Sequence, residues 1–187
     1  MNSTLISLVL DYNNLIGCKG LRNLCRGLAS HAALRRLSLR YCSVGEEGTK
    51  ALSKVLHSPT CKYQSLKLCG NQINGIALNA LQSGLAANKS LTQLWLTENR
   101  ISHLDAEYLG KFASSLAEHP TITELDLRFN PMGDVGASAL LKLSKESKPL
   151  LVTLLVDQEI CEHLYNQLYR QVVVQQKKKK KPKSSNK

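Results

Sequence analysis

The feature that most constrains this chain is a pattern that returns five times. LISLVLDYNNL from Leu5, LRRLSLRYCSV from Leu34, YQSLKLCGNQI from Tyr63, LTQLWLTENRI from Leu91 and ITELDLRFNPM from Ile122 share the form L-x-x-L-x-L-x-x-N-x-L. Their starts lie 29, 29, 28 and 31 residues apart, and an eroded sixth copy, LVTLLVDQEIC, begins 29 further on at Leu151. A fixed period of this length marks a stack of like units, each too small to bury a core alone.

The central L-x-L alternates, as a strand requires, so its leucines enter a core and the residues between them face away. The Asn that follows, at Asn13, Asn71, Asn99 and Asn130, offers both a carbonyl and an amide to the turning backbone. These four form an expected structural ladder. Cys42 occupies the same slot in the second copy and is a weaker donor. Between strands the period becomes helical: Leu21, Leu24, Cys25 and Leu28 share one face, as do Leu78, Leu81 and Leu85, and Leu109, Phe112 and Leu116. Glycines near the helix starts, among them Gly17, Gly45 and Gly133, permit tight strand-to-helix turns.

This pattern resembles that of leucine-rich repeat proteins, and the 28–29-residue unit with a full helix resembles their ribonuclease-inhibitor-like subclass. The segment Leu56–Leu68 also resembles repeats of NOD-like receptors. The resemblance runs from about Leu5 to Val156. It implies an α/β solenoid, a curved horseshoe arc with a parallel sheet on the concave face and helices on the convex face. It also implies a non-enzymatic protein-binding module or scaffold; inhibitors, sensor regions of receptors and repeat subunits of ciliary axonemes share the class. Ran GTPase-activating proteins share the subclass, so a regulator of a small GTPase is the alternative. They carry an acidic segment after the repeats, and here the segment is basic.

The resulting organisation is residues 1–157 as repeats, 158–176 as a C-terminal capping helix and 177–187 as a lysine tail. Ile160, Leu164, Leu168 and Val172 recur every four residues, which predicts an amphipathic helix closing the core. The first repeat has no capping repeat before it, which leaves three readings: Met1–Thr4 as a poor cap, a C-terminal piece of a longer protein, or an edge covered by a partner. The net charge of +11 is uneven: seven of the 25 basic residues fall in Lys177–Lys187, where there is no acid. Such a block repels itself and reads as disordered, with acidic partners such as nucleic acid, microtubules or anionic lipid. It also matches a weak nuclear-targeting pattern.

No stretch approaches the roughly 18 apolar residues of a membrane span, and the first residues lack the basic region of a secretory signal. The six cysteines then read as reduced thiols and the location as cytoplasmic, with the nucleus or an axoneme as further options. There is no C-x-x-C, H-E-x-x-H, G-x-S-x-G or phosphate-binding glycine loop, so neither metal, cofactor nor catalytic centre is expected. His31, His57 and His119 fall near helix C-termini, where an imidazolium would suit the helix dipole.

The candidate working surface is the set of variable strand positions. Three solvent-facing rows are expected: Ser7, Arg36, Ser65, Gln93 and Glu124; Val9, Ser38, Lys67, Trp95 and Asp126; Asp11, Arg40, Cys69, Thr97 and Arg128. Tyr12, Tyr41, Gly70, Glu98 and Phe129 lie just beyond. The expected partner-binding residues are Trp95, Tyr41, Arg36, Arg40, Lys67, Glu98, Glu124, Asp126, Arg128 and Phe129. Trp, Tyr and Arg are the residue types that most often anchor interfaces. Arg36, Arg40 and Lys67 make one side basic; Glu98, Glu124 and Asp126 make the other acidic.

Overall fold

The computed structural model describes residues 4–172, so the lysine tail and the last four residues of the expected capping helix lie outside the described residues. Each L-x-L forms a three-residue strand: β1 (Ser7–Val9), β2 (Arg36–Ser38), β3 (Ser65–Lys67), β4 (Gln93–Trp95), β5 (Glu124–Asp126) and β6 (Thr153–Leu155). They make one parallel sheet in chain order. Leu8, Leu37, Leu66, Leu94, Leu125 and Leu154 stand opposite one another across it, the register expected from the repeat. A helix follows every strand: α1 (Gly17–Leu28), α2 (Gly45–His57), α3 (Gly75–Ala87), α4 (Ala106–Glu118), α5 (Gly133–Ala139) and α6 (Glu162–Leu168).

Helix and strand leucines meet in one continuous core from Leu21 to Leu168. Stacking makes this possible, because each repeat buries its neighbour's flank. The first repeat lacks a neighbour on one side among the described residues. Leu8 and Leu10 are accordingly only half-buried, and Val9 and Leu15 are 63% and 97% exposed.

The asparagine ladder forms as expected in the middle of the stack. Asn99 Oδ1 accepts from the backbone N–H of Asn71 and Ile73 in the preceding repeat, and its Nδ2 donates to the carbonyls of Leu68, Leu96 and Thr97. Asn71 and Asn130 repeat the arrangement. Cys42 performs the donor half through a weaker group, its Sγ reaching the carbonyls of Leu10 and Arg40. Asn13, in the first repeat, is exposed and bonds only to its own turn.

Three expectations need correction. The capping helix expected over 158–176 spans only Glu162–Leu168 among the described residues: Tyr169 is extended, and Arg170 pairs antiparallel with Leu154. The edge of β6 has backbone groups to satisfy, and pairing them outweighs another helical turn. The Arg170 guanidinium then caps carbonyls of Leu143, Lys148, Leu151 and Leu168. The fifth helix, for which Ala139, Leu140 and Leu143 at helical spacing predict one face, is also shorter than expected, giving way after Ala139 to a 3-10 turn, Leu141–Leu143.

The third correction concerns His119, which is no imidazolium. Only 2% exposed, it accepts a hydrogen bond at Nδ1 from the Ile122 N–H, which requires that nitrogen unprotonated. Burial, then the charges of Lys89 and Lys148, push its pKa down to about 4. The cation at this helix end is Lys148, whose Nζ donates to the carbonyls of Ala117 and His119.

Candidate functional site

The concave face is built by the residues that alternate with the strand leucines. Leu94 and Leu96 are fully buried, which turns Trp95 to the opposite face of the sheet. There it is half-buried rather than freely exposed, because Lys67 on the adjacent strand lies over it, with Nζ 3.9 Å from the ring centroid. That contact is a cation–π interaction.

The three rows are less open than a flat sheet would make them. Ser38, Ser65, Cys69 and Asp126 are buried, since these short side chains are overhung by longer neighbours. Two of the charges are neutralised in place. Arg40 Nε lies 2.7 Å from Asp11 Oδ2, across one repeat boundary. Arg128 donates from Nε and Nη2 to Asp126 within a single repeat. Burial pushes the Asp11 carboxyl up, but hydrogen bonds from Ser38 and Arg40 outweigh it and hold the group below the usual carboxylate range. Arg36 is exposed, and the half-buried Glu124 accepts from Gln93 Nε2 at 3.0 Å.

Just beyond the rows stand Tyr12, Tyr41, Gly70, Glu98 and Phe129, as the repeat predicts, but with a backbone conformation the motif does not reveal: all five have positive φ, between 53° and 66°. Four non-glycine residues are thus held in the left-handed region, which is uncommon outside constrained turns. The lone glycine among them has a second role. A Cβ on Gly70 would sit 2.3 Å from the Tyr41 ring, so its absence lets Tyr41 lie across the turn and donate to Glu98 Oε2 at 2.5 Å. That hydrogen bond pushes the Tyr41 hydroxyl up to about 12. Tyr12 stacks on Tyr41 with centroids 4.9 Å apart. Phe129 stands further along the rim, 62% exposed.

Of the residues expected to bind a partner, the structure therefore gathers Tyr41 and Glu98 into one rim contact, Lys67 and Trp95 into another, and Asp126 and Arg128 into a third. Arg36 and Glu124 stand apart, Phe129 lies under the Arg128 guanidinium with 6.0 Å to its ring centroid, and Arg40 pairs with Asp11. Among the described residues no group of His, Cys, Asp or Glu has the geometry of a metal site. Burial pushes the Cys25 thiol up to about 12, which makes it a packing residue and a poor nucleophile.

This architecture defines a class: the chain is a leucine-rich repeat protein with repeats of the ribonuclease-inhibitor-like kind. The family described as "Leucine Rich repeat" matches residues 118–141. Mouse ribonuclease inhibitor is 30% identical over 141 residues, covering 74% of this chain and 30% of that protein. Mouse NACHT, LRR and PYD domains-containing protein 12 is 34% identical over 145 residues, covering 76% of this chain and 13% of that protein. A Caenorhabditis elegans homolog of protein phosphatase 1 regulatory subunit 37 is 28% identical over 132 residues, 70% of this chain and 14% of that protein. The chain thus spans between about a seventh and a third of these relatives' lengths. Among solved structures, the Leiomodin-1 Actin-Binding Site 2 (ABS2) shares the fold, with a TM-score of 0.58, 21% identity, and coverage of 64% of this chain and 68% of that one.

Proposed function

We propose that this chain is a non-enzymatic interaction module that binds a protein partner across its concave face, with Trp95 as the central anchor. The observation that carries the reading is the pair formed by Trp95 and Lys67, a large amphipathic ring on a central strand with a cation over it. Interface hot spots favour this composition, because an aromatic brings much contact area with few rotatable bonds. Arg36, Glu124, Glu98 and Phe129, elsewhere on the same face and its rim, set the partner's orientation. The names of the relatives accord with this: one is a regulatory subunit of a phosphatase, another an inhibitor of a ribonuclease. With its six cysteines read as reduced thiols, the compartment of this reading is the cytoplasm.

The test is a comparative pull-down with wild-type and Trp95→Ala baits, both confirmed as folded by circular dichroism. Proteins captured by the first and lost from the second are concave-face partners. An identical set on both baits moves the working surface to the helices or the tail.

A further inference from the structure

The helical side carries a groove of about 840 Å³, bordered by Arg22 and Arg26 of α1, Lys50 and Lys54 of α2, and Asn79 and Ser83 of α3. Along α2 its lining runs from Glu46 to Val55, a length of about 14 Å at about 1.5 Å per residue. The buried Cys25 and Val55 and the half-buried Ala51 and Ala80 give it an apolar floor. On one side that floor is closed, because α2 and α3 meet there: a Cβ on Gly84 would sit 2.4 Å from the Ser53 carbonyl oxygen, and the Ser53 and Ser83 hydroxyls are 2.9 Å apart. We propose that this groove receives an acidic amphipathic helix of a protein partner, with its apolar side chains on the floor and its carboxylates against Arg26 and Lys54. This is a second surface, separate from the concave face, and it does not depend on the reading of Trp95.

Charge selects this occupant. Four cations, Arg22, Arg26, Lys50 and Lys54, line the groove with two carboxylates, Glu46 and Glu47, which leaves positive charge in excess. The carboxylates are already engaged: Lys50 Nζ lies 2.8 Å from each, and Arg22 lies 3.8 Å from Glu47. The hydrogen bond from Lys50, and then its charge, hold Glu47 below the usual carboxylate range, with Lys54 the smallest contributor. Arg26 and Lys54 take part in no ion pair among the described residues. Both stand in the last turns of their helices, where the dipole offers only a partial negative charge. A nucleic acid would match the excess charge and leave the apolar floor wet. An amphipathic helix answers both, because it lays one apolar face into a groove and keeps its charges at the flanks.

The probe is a dye-labelled peptide of about 15 residues, long enough to form a helix, with leucines at i, i+3, i+4 and i+7 and glutamates flanking them. A scrambled peptide of the same composition is the control. Binding to the full chain is read by fluorescence anisotropy. The double variant Arg26→Glu with Lys54→Glu is measured alongside, as is a variant whose seven lysines within Lys177–Lys187 are replaced by glutamine, with circular dichroism confirming each fold. The expected result is binding about tenfold tighter for the amphipathic peptide than for its scramble, and about a tenfold loss of affinity in the double variant. The glutamine-tail variant should keep the preference for the amphipathic peptide. Equal affinity for the two peptides overturns the proposal, as does a double variant that binds like wild type. Loss of binding confined to the glutamine-tail variant, or displacement of the peptide by oligothymidylate at equal concentration, overturns it as well, since charge alone then suffices.

Discussion

Asn99 has no bonding atom left over: its oxygen serves two backbone N–H groups of one repeat and its amide serves three carbonyls. Asn99→Ala leaves buried backbone groups unpaired, and should cost about 1–3 kcal/mol in urea melts. Asn13→Ala, at an exposed turn, should cost less than about 1 kcal/mol. Comparing the two isolates ladder bonding from any generic effect of losing an amide. The ladder was legible because a motif repeated at a fixed slot requires one job of every copy. The state of His119 was not, because a lone histidine before a strand carries no sign of its burial. Its folded pKa of about 4 lies below the ordinary value of 6.5. Between these values the unfolded chain binds a proton that the folded chain does not. Stability should thus be complete above about pH 6.5 and fall as the pH drops toward 4, by at most about 3 kcal/mol. Asn88 holds the equivalent place one repeat earlier and accepts from the Leu91 N–H in the same way. His119→Asn should therefore keep the hydrogen bond and flatten the acid limb, as read from melts across that pH window.

At the scale of elements, the strands and their register followed from the L-x-L alternation, since a one-residue slip would turn every leucine outward. The C-terminal element followed only in part. Leu164 and Leu168 are buried as a helical face should be and Ile160 is buried in the turn before α6, while Val172 is 54% exposed. Local periodicity continues past Leu168, but the sheet edge competes for the same backbone, and that competition depends on where β6 ends in space. Arg170 holds the outcome by capping four carbonyls. Arg170→Ala should destabilise the chain by about 1.5–3 kcal/mol, the range for hydrogen bonds from a charged group. In hydrogen exchange, the loss of protection should concentrate at Leu154 and in α6. Uniform loss across all six repeats would show that the closure does not act locally.

Across the whole molecule, the arc sorts its charges in a way the sequence does not display. Arg36, Arg40 and Lys67 read as a basic side and Glu98, Glu124 and Asp126 as an acidic one, yet Arg40 and Asp126 are each paired with an opposite charge beside them. Pairings between adjacent strands depend on rotamers, and spacing alone does not reveal those. What stands out after pairing is a half-buried tryptophan under a lysine, a rim of stacked tyrosines, and two carboxylates, Glu98 and Glu124, hydrogen-bonded to neutral side chains. A protein partner bound on this face, centred on Trp95, should be sensitive to that one ring. The measurement is the dissociation constant of Trp95→Ala for a partner recovered with the wild-type chain, set against a convex-face control such as Ile76→Ala. The expected result is about a thirtyfold loss of affinity for Trp95→Ala, equivalent to roughly 2 kcal/mol, and no change for the control. Unchanged affinity of Trp95→Ala, or a loss confined to Ile76→Ala, would show that the partner binds elsewhere.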